Sequence, residues 1–145
     1  MIREINILDA KDIQEICKDE LGYNVDIKTV KTQIEKLSID YEHHIIAVYE
    51  DKKTSKVVGF VHAEMYESLY SDIGLNILGL AVNSNFQGKG IGKKLMVFVE
   101  EYALNNNINF IRLNSASHRS EAHKFYENIG YICNKTQKRF IKIFR

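Results

Sequence analysis

Asn83-Ser-Asn-Phe-Gln-Gly-Lys-Gly-Ile-Gly-Lys-Lys94 turns from a strand pattern into a helix pattern through three glycines, with lysines around the change. The run before it, Ile77-Leu-Gly-Leu-Ala-Val82, is short, apolar and bounded by turn residues, as a buried strand is. After it, Ile91, Leu95, Phe98 and Tyr102 recur at helical spacing, and Met96, Val99 and Ala103 widen the stripe. A helix therefore starts near Gly90. Its first amide N–H groups have no intrahelical partner and lie at the positive end of the helix dipole, so an anion is favoured there. Gly88, Gly90 and Gly92 carry no Cβ to hold that anion off. The alternative is a glycine-softened turn ahead of an ordinary surface helix.

Two better-known phosphate loops do not fit. A Walker loop has four residues between its first glycine and Gly-Lys, then Ser or Thr; here Gly88 to Gly92 encloses three, and Lys94 follows Lys93. The dinucleotide fingerprint fails because the third glycine comes one residue early and no opening βαβ unit precedes it. The pattern that fits is Gln-x-x-Gly-x-Gly, met by Gln87, Gly90 and Gly92. With the Leu-Ala-Val strand before it and the amphipathic helix after it, the segment resembles the acyl-CoA loop of the GCN5-related N-acetyltransferases.

The rest of the chain is compatible with one domain spanning residues 1–145, long enough to bury a core without staples. Charged residues make up 27% and hydrophobic ones 45%, the balance of a soluble globular protein, and no apolar run reaches membrane-spanning length. The first residues lack a basic segment followed by an apolar one, so the cytoplasm is the expected compartment. Cys17 and Cys133 lie far apart without metal spacing, and both are expected to be buried, reduced thiols. A net charge of +1 argues against a dedicated nucleic-acid binder. Proline is absent, and no linker or repeat divides the sequence.

The periodicity predicts strands over residues 2–8, 44–50, 56–66, 72–82, 109–115, 131–133 and 139–144. Helices are predicted after caps at Asp9 and Asp26, then from residue 90 to about 105, and along Ala122, Phe125, Tyr126 and Ile129, with Gly22 and Gly130 as terminators. That order is mixed α/β (α+β): antiparallel strands first, a crossover helix later, six to seven strands and about four helices.

A second segment extends the resemblance. The superfamily reads Asn-x-x-Ala-x-x-x-Tyr-Glu-x-x-Gly-Phe where this chain has Ala122, Tyr126, Glu127, Gly130 and the aromatic Tyr131, with Arg119 in the asparagine place. The resemblance implies a sheet whose strands splay at an acetyl-CoA site. The pantetheine arm would bond the backbone of Leu80, Ala81 and Val82. The pyrophosphate would sit on the N–H groups of Gln87, Gly88, Lys89, Gly90, Ile91 and Gly92, with Lys93 adding charge. Further cofactor contacts are implied for Asn114, Arg119 and Tyr126. No metal is implied, and His43-His44 offers no third ligand.

The chemistry accounts for a tyrosine at position 126. A thiol with pKa ~8.5 facing a phenol with pKa ~10 makes protonation of the leaving thiolate uphill by only about 2 kcal/mol, at ~1.36 kcal/mol per unit. A positioned tyrosine can therefore act as general acid; the competing role is completion of the Ala122, Phe125 and Ile129 stripe. The attacking amine must lose a proton. The family often places a glutamate on the strand before the glycine loop, where this chain has Asn76. Glu64 is the first substitute, sharing a strand face with His62; Asp72, His118 and His123 follow.

The acceptor is weakly encoded. Ser117-His-Arg-x-x-Ala-His-x-Phe-Tyr126 resembles the aminoglycoside 6'-N-acetyltransferases, which implies an acidic pocket that Glu64, Glu67, Asp72, Asp40 and Glu42 could supply, or those groups are solvated surface. Aminoglycosides, polyamines and peptide amines all stay open as partners. The resemblance also implies frequent homodimerisation through sheet edges or late strands. Two other classes remain: an acyl-CoA-binding sensor without catalysis, and an RNA-binding module using residues 88–94 as a KH loop does.

Overall fold

The structure, a computed structural model, describes residues 1–145 and divides into two compact units, Met1–Leu113 and Asn114–Arg145. In the first unit the order is β1 (Ile2–Glu4), α1 (Ala10–Leu21), α2 (Ile27–Ser38), β2 (His44–Glu50), β3 (Val57–Tyr66), β4 (Gly74–Val82), α3 (Ile91–Asn105) and β5 (Phe110–Leu113). The five strands lie side by side in chain order, antiparallel from β1 to β4 and parallel between β4 and β5.

Strand β1 stops earlier than periodicity predicts. Asn6 caps a short 3-10 turn at Ile7–Asp9, accepting from the Leu8 amide while Asp9 accepts from the Asn6 amide. Contrary to the expectation from sequence, Asp9 therefore does not cap α1 with its side chain. Its buried carboxylate is taken by the Arg3 guanidinium at 2.8 and 2.9 Å, and Arg3 also reaches Glu50 at 3.0 Å. A charge so enclosed requires such pairing, and the pairing outcompetes the cap. Asp26 does cap α2, accepting from Lys28, and Gly22 ends α1 with φ 77°.

Period-two alternation assigns the sheet's two faces. Phe60 joins Ile13 and Ile16 of α1 in a core with Val48, Val57 and Ala81. On the other face lies Gly59, where an added Cβ would meet Ile91 and Leu95 of α3 at 3.3 Å. The two helical layers thus clamp the sheet, and Leu75, Val61, Leu95, Met96 and Val99 between them are fully buried.

The second unit contains α4 (Ser120–Asn128), after which Gly130 takes φ 101°. Residues 131–145 form neither helix nor strand. The two late strands expected at 131–133 and 139–144 are therefore absent, and the sheet has five strands instead of six or seven. A strand exists only where a neighbour completes its hydrogen-bond ladder, and this segment has none in the sheet. Cys133 is exposed, contrary to expectation, while Cys17 is half-buried and its thiol pKa is raised by burial. No helix is long and apolar enough to cross a membrane.

Candidate active site

The glycine loop is built as an anion cradle. Gly88 and Gly90 adopt φ 78° and 80°, and a Cβ at either would meet nothing within 4 Å. Gly90 is the N-cap of α3, makes no side-chain cap bond, and no acidic residue stands in the first turn. Instead Lys93 and Lys94 occupy that positive end, an arrangement unfavourable by about 0.3–1 kcal/mol for each until an anion offsets it. The residues present therefore fit a diphosphate. Lys89 leans on the Phe86 ring at 5.0 Å and Lys94 on Tyr49 at 5.8 Å.

Gln87 has a scaffolding role in this loop. Its amide donates to the Val82 carbonyl at 2.9 Å and to Glu20 at 3.4 Å, while the other Glu20 oxygen accepts from the Ser84 amide at 2.9 Å. The end of α1 thereby holds the loop entry. Periodicity gave no sign of this use of Glu20, since a glutamate in the last turn of an amphipathic helix looks like solvated surface.

Strand β4 opens just before the loop. Its register with β3 passes from Ala63 opposite Ile77 to His62 opposite Gly79, so Leu78 bulges out and is half exposed. Strand β5 pairs only with Gly74 to Ile77. Beyond the bulge, residues 79–82 have β3 on one side and no strand on the other. Leu80, Ala81 and Val82, the positions expected to bond a pantetheine arm, lie on that stretch.

One sheet face carries a polar network across four strands. Asn76 donates to Glu64 at 2.8 Å, Arg112 donates to Asn76 at 2.7 Å, and the Arg112 guanidinium lies over the Tyr66 ring at 4.7 Å. His62 sits on the same face, its Nε2 2.9 Å from His44 Nδ1. Burial, with His44 second, lowers the His62 pKa to about 4 against an opposing effect of Glu64. His62 is therefore neutral at pH 7. All these side chains are half-buried, and they form a floor with donors and acceptors in fixed positions. Arg112 was missed from sequence, because its register opposite Asn76 exists only once β4 and β5 pair.

The other acids proposed for an acceptor pocket do not join this floor. Asp40 bonds His43 at 2.8 Å, and Glu42, Glu67 and Asp72 are exposed. A groove of about 660 Å³ lies beside α3, bordered by Met1, Tyr49, Gly90 and Phe98. It runs from the β1–β2 end of the sheet to Gly90, Lys93 and Lys94 at the start of α3, whereas the unpaired β4 backbone faces the β5 end.

In the second unit, Tyr126 lies on α4 between the rings of Phe125, at 5.2 Å, and Tyr131, at 6.1 Å, both edge-on. Burial raises its phenol pKa and the Arg119 charge opposes the rise. Arg119 is the N-cap residue of α4, Asn114 is exposed, and His123 Nε2 donates to the Ala116 carbonyl at 2.9 Å. No group of three His, Cys, Asp or Glu side chains is arranged to hold a metal ion.

A mixed sheet whose fourth strand bulges and parts from the fifth runs directly into a glycine turn and an uncapped helix. The chain belongs to the acetyltransferase (GNAT) family, whose model matches residues 10–131. Among curated relatives it is 37% identical over 76 residues to N-acetylaspartate synthetase of Danio rerio, an overlap of 52% of this chain and 26% of that protein. The chain thus spans about a quarter of that relative. Among solved structures it resembles glucosamine-6-phosphate N-acetyltransferase from Arabidopsis thaliana, with TM-score 0.83 and 21% identity over 97% of both chains. It likewise resembles AAC(6')-Iy in complex with a bisubstrate analogue, CoA-S-monomethyl-acetylneamine, with TM-score 0.83 and 15% identity over 99% of this chain and 98% of that one. At those identities the two structures establish the fold.

Proposed function

We propose that this protein is an acetyl-CoA-dependent N-acetyltransferase that moves the acetyl group to a primary amine by direct attack within a ternary complex. The observation that carries this reading is the opened strand β4 running straight into an uncapped, lysine-flanked helix start. The N–H groups of residues 87–92 would take the pyrophosphate and the free backbone of residues 80–82 the pantetheine arm. A donor at the bulge polarises the thioester carbonyl. Glu64 receives the ammonium proton, directly or through water, with Asn76 fixing its carboxylate. The amine nitrogen then bonds the carbonyl carbon as the carbon–sulfur bond breaks, and Tyr126 supplies the proton that the leaving thiolate takes up. Asn114 and Arg119 are assigned to cofactor contacts, and residues 1–145 to one catalytic domain.

The acceptor is an amine whose surroundings suit both charges on the floor, Glu64 and Arg112. An amino acid with a free carboxylate fits that pairing, in keeping with the name N-acetylaspartate synthetase that the relatives carry, and a polycationic aminoglycoside or polyamine fits Glu64 alone. A peptide amine is the third class. Release of free thiol from acetyl-CoA across aminoglycosides, polyamines, acidic and neutral amino acids and peptide N-termini tests this. Turnover with at least one class is expected, and Glu64→Gln should lose activity at pH 7 with the deficit closing as pH approaches the amine pKa. A deficit constant with pH refutes Glu64 as base.

A second reading, a catalytically silent acyl-CoA sensor, is favoured by Asn76, which cannot take a proton and is locked between Glu64 and Arg112. Tight CoA binding in calorimetry with no turnover on any amine would establish it.

A further inference from the structure

Glu64 on β3, Asn76 on β4 and Arg112 on β5 stand opposite one another in register, each half-buried. Arg112 Nη1 donates to Asn76 Oδ1 at 2.7 Å, and Asn76 Nδ2 donates to Glu64 Oε2 at 2.8 Å. The two ends of an amide have nearly the same shape, so packing alone does not orient Asn76. Its neighbours do. Turned over, its NH2 would face a guanidinium, which only donates, and its carbonyl would face a carboxylate, which only accepts. Glu64 by itself could follow a rotating amide, whereas a charge-assisted bond from the far side pins it. Arg112 can serve as that pin because it is braced. Its guanidinium lies 4.7 Å from the Tyr66 ring, the edge of that ring meets Phe110 at 6.2 Å, and Phe110 is seated over Gly74, where a Cβ would strike it.

We propose that Arg112 is a positioning residue for the transfer: by fixing the Asn76 amide it commits Glu64 Oε2 and keeps Oε1 as the oxygen open to the acceptor's ammonium proton. No side chain on this face competes for Oε1. His62 and His44 bond each other at 2.9 Å, and α1 and α2 bring the apolar Ile13, Ile16 and Val30 to this side of the sheet. A carboxylate held at one oxygen presents the other in one direction, the arrangement that an ordered proton transfer requires. This role rests on Glu64 being the base of the proposed reaction.

Arg112→Met removes the donors and keeps the length. It should lower kcat by about 10- to 100-fold with KM for acetyl-CoA within about twofold, and Asn76→Ala should do the same. The double variant should be no slower than Asn76→Ala, since Arg112 acts through that amide. Arg112→Lys, which keeps a charged donor, should recover most of the loss. A second measurement needs no variant, cofactor or acceptor: in protein labelled with nitrogen-15 asparagine, the Asn76 side-chain amide should exchange with water roughly tenfold more slowly than that of exposed Asn107. Equal exchange at the two asparagines overturns the proposal, as do losses that multiply in the double variant. The two readings fail differently. Glu64→Gln as fast as wild type removes the base and this proposal with it, whereas a slow Glu64→Gln beside an unprotected Asn76 keeps the base and removes only the role of Arg112.

Discussion

Burial raises the Tyr126 phenol pKa and the Arg119 charge only partly opposes this, so the side chain is a protonated phenol at neutral pH. Replacing it by phenylalanine removes the proton and leaves the ring, so kcat should fall by about 10²-fold while KM for acetyl-CoA stays within twofold. An unchanged kcat on a good acceptor would reduce Tyr126 to a packing residue. His62 gives a test in stability. Its pKa is about 4 in the fold and ~6.5 when unfolded, so between those values the unfolded chain binds a proton that the native chain does not. His62 thus costs no stability above pH 6.5, and its penalty grows as pH falls to 4. Since the residue is half-buried, solvent screening brings the full shift down to about 1–2 kcal/mol. Urea unfolding at pH 7.5 and 4.5 should show wild type losing that much more than His62→Gln; equal losses would mean that the imidazole is solvated.

The start of α3 is where an element's placement becomes binding energy. Gly90 holds φ 80°, so alanine there is strained by about 1–2 kcal/mol and turns the cap away from its amide-presenting shape. Gly90→Ala should raise KM for acetyl-CoA at least tenfold with kcat nearly unchanged, because the interaction lost is equal in ground and transition states. A fall in kcat alone would place the loop's role elsewhere. Gly59 bears on the same helix from below. A Cβ there would lie 3.2 Å from the Ala81 carbonyl oxygen and 3.3 Å from Ile91 and Leu95, all buried. Gly59→Ala must shift α3 on the sheet, costing about 1–3 kcal/mol in chemical denaturation, and the loop's amides move with it. Stability within 0.5 kcal/mol of wild type would show that the sheet and helix have slack. That alanine should be tolerated nowhere near this contact is not readable from the sequence, where Gly59 is one small residue in an apolar run.

What the sequence disclosed about the whole molecule follows from which forces are local. Helices α1 to α4, the hairpin over Asp51–Ser55 turn residues and the glycine loop rest on periodicity, caps and φ preferences, which nearby residues carry by themselves. The bulge at Leu78, the Glu20 brace and the Asn76–Arg112 bond join residues up to 67 positions apart, and no pattern within one segment reports them. The late strands were read from the local residue pattern alone, yet a strand also needs an edge to pair with, and that requirement is met or unmet only in the assembled molecule. Ligand linkage acts at the same scale. If CoA binds the native chain and not the unfolded one, free CoA at 100 times its dissociation constant adds about 2.7 kcal/mol to stability. The gain should fall to about half when free CoA is lowered tenfold from that level, and Gly90→Ala should require at least ten times more CoA for the same rise in melting temperature. Because this readout needs no acceptor and no turnover, an enzyme awaiting its amine and a silent sensor both give it. A chain that melts at the same temperature with millimolar CoA as without it is neither, and the cradle at the start of α3 would then hold some other anion.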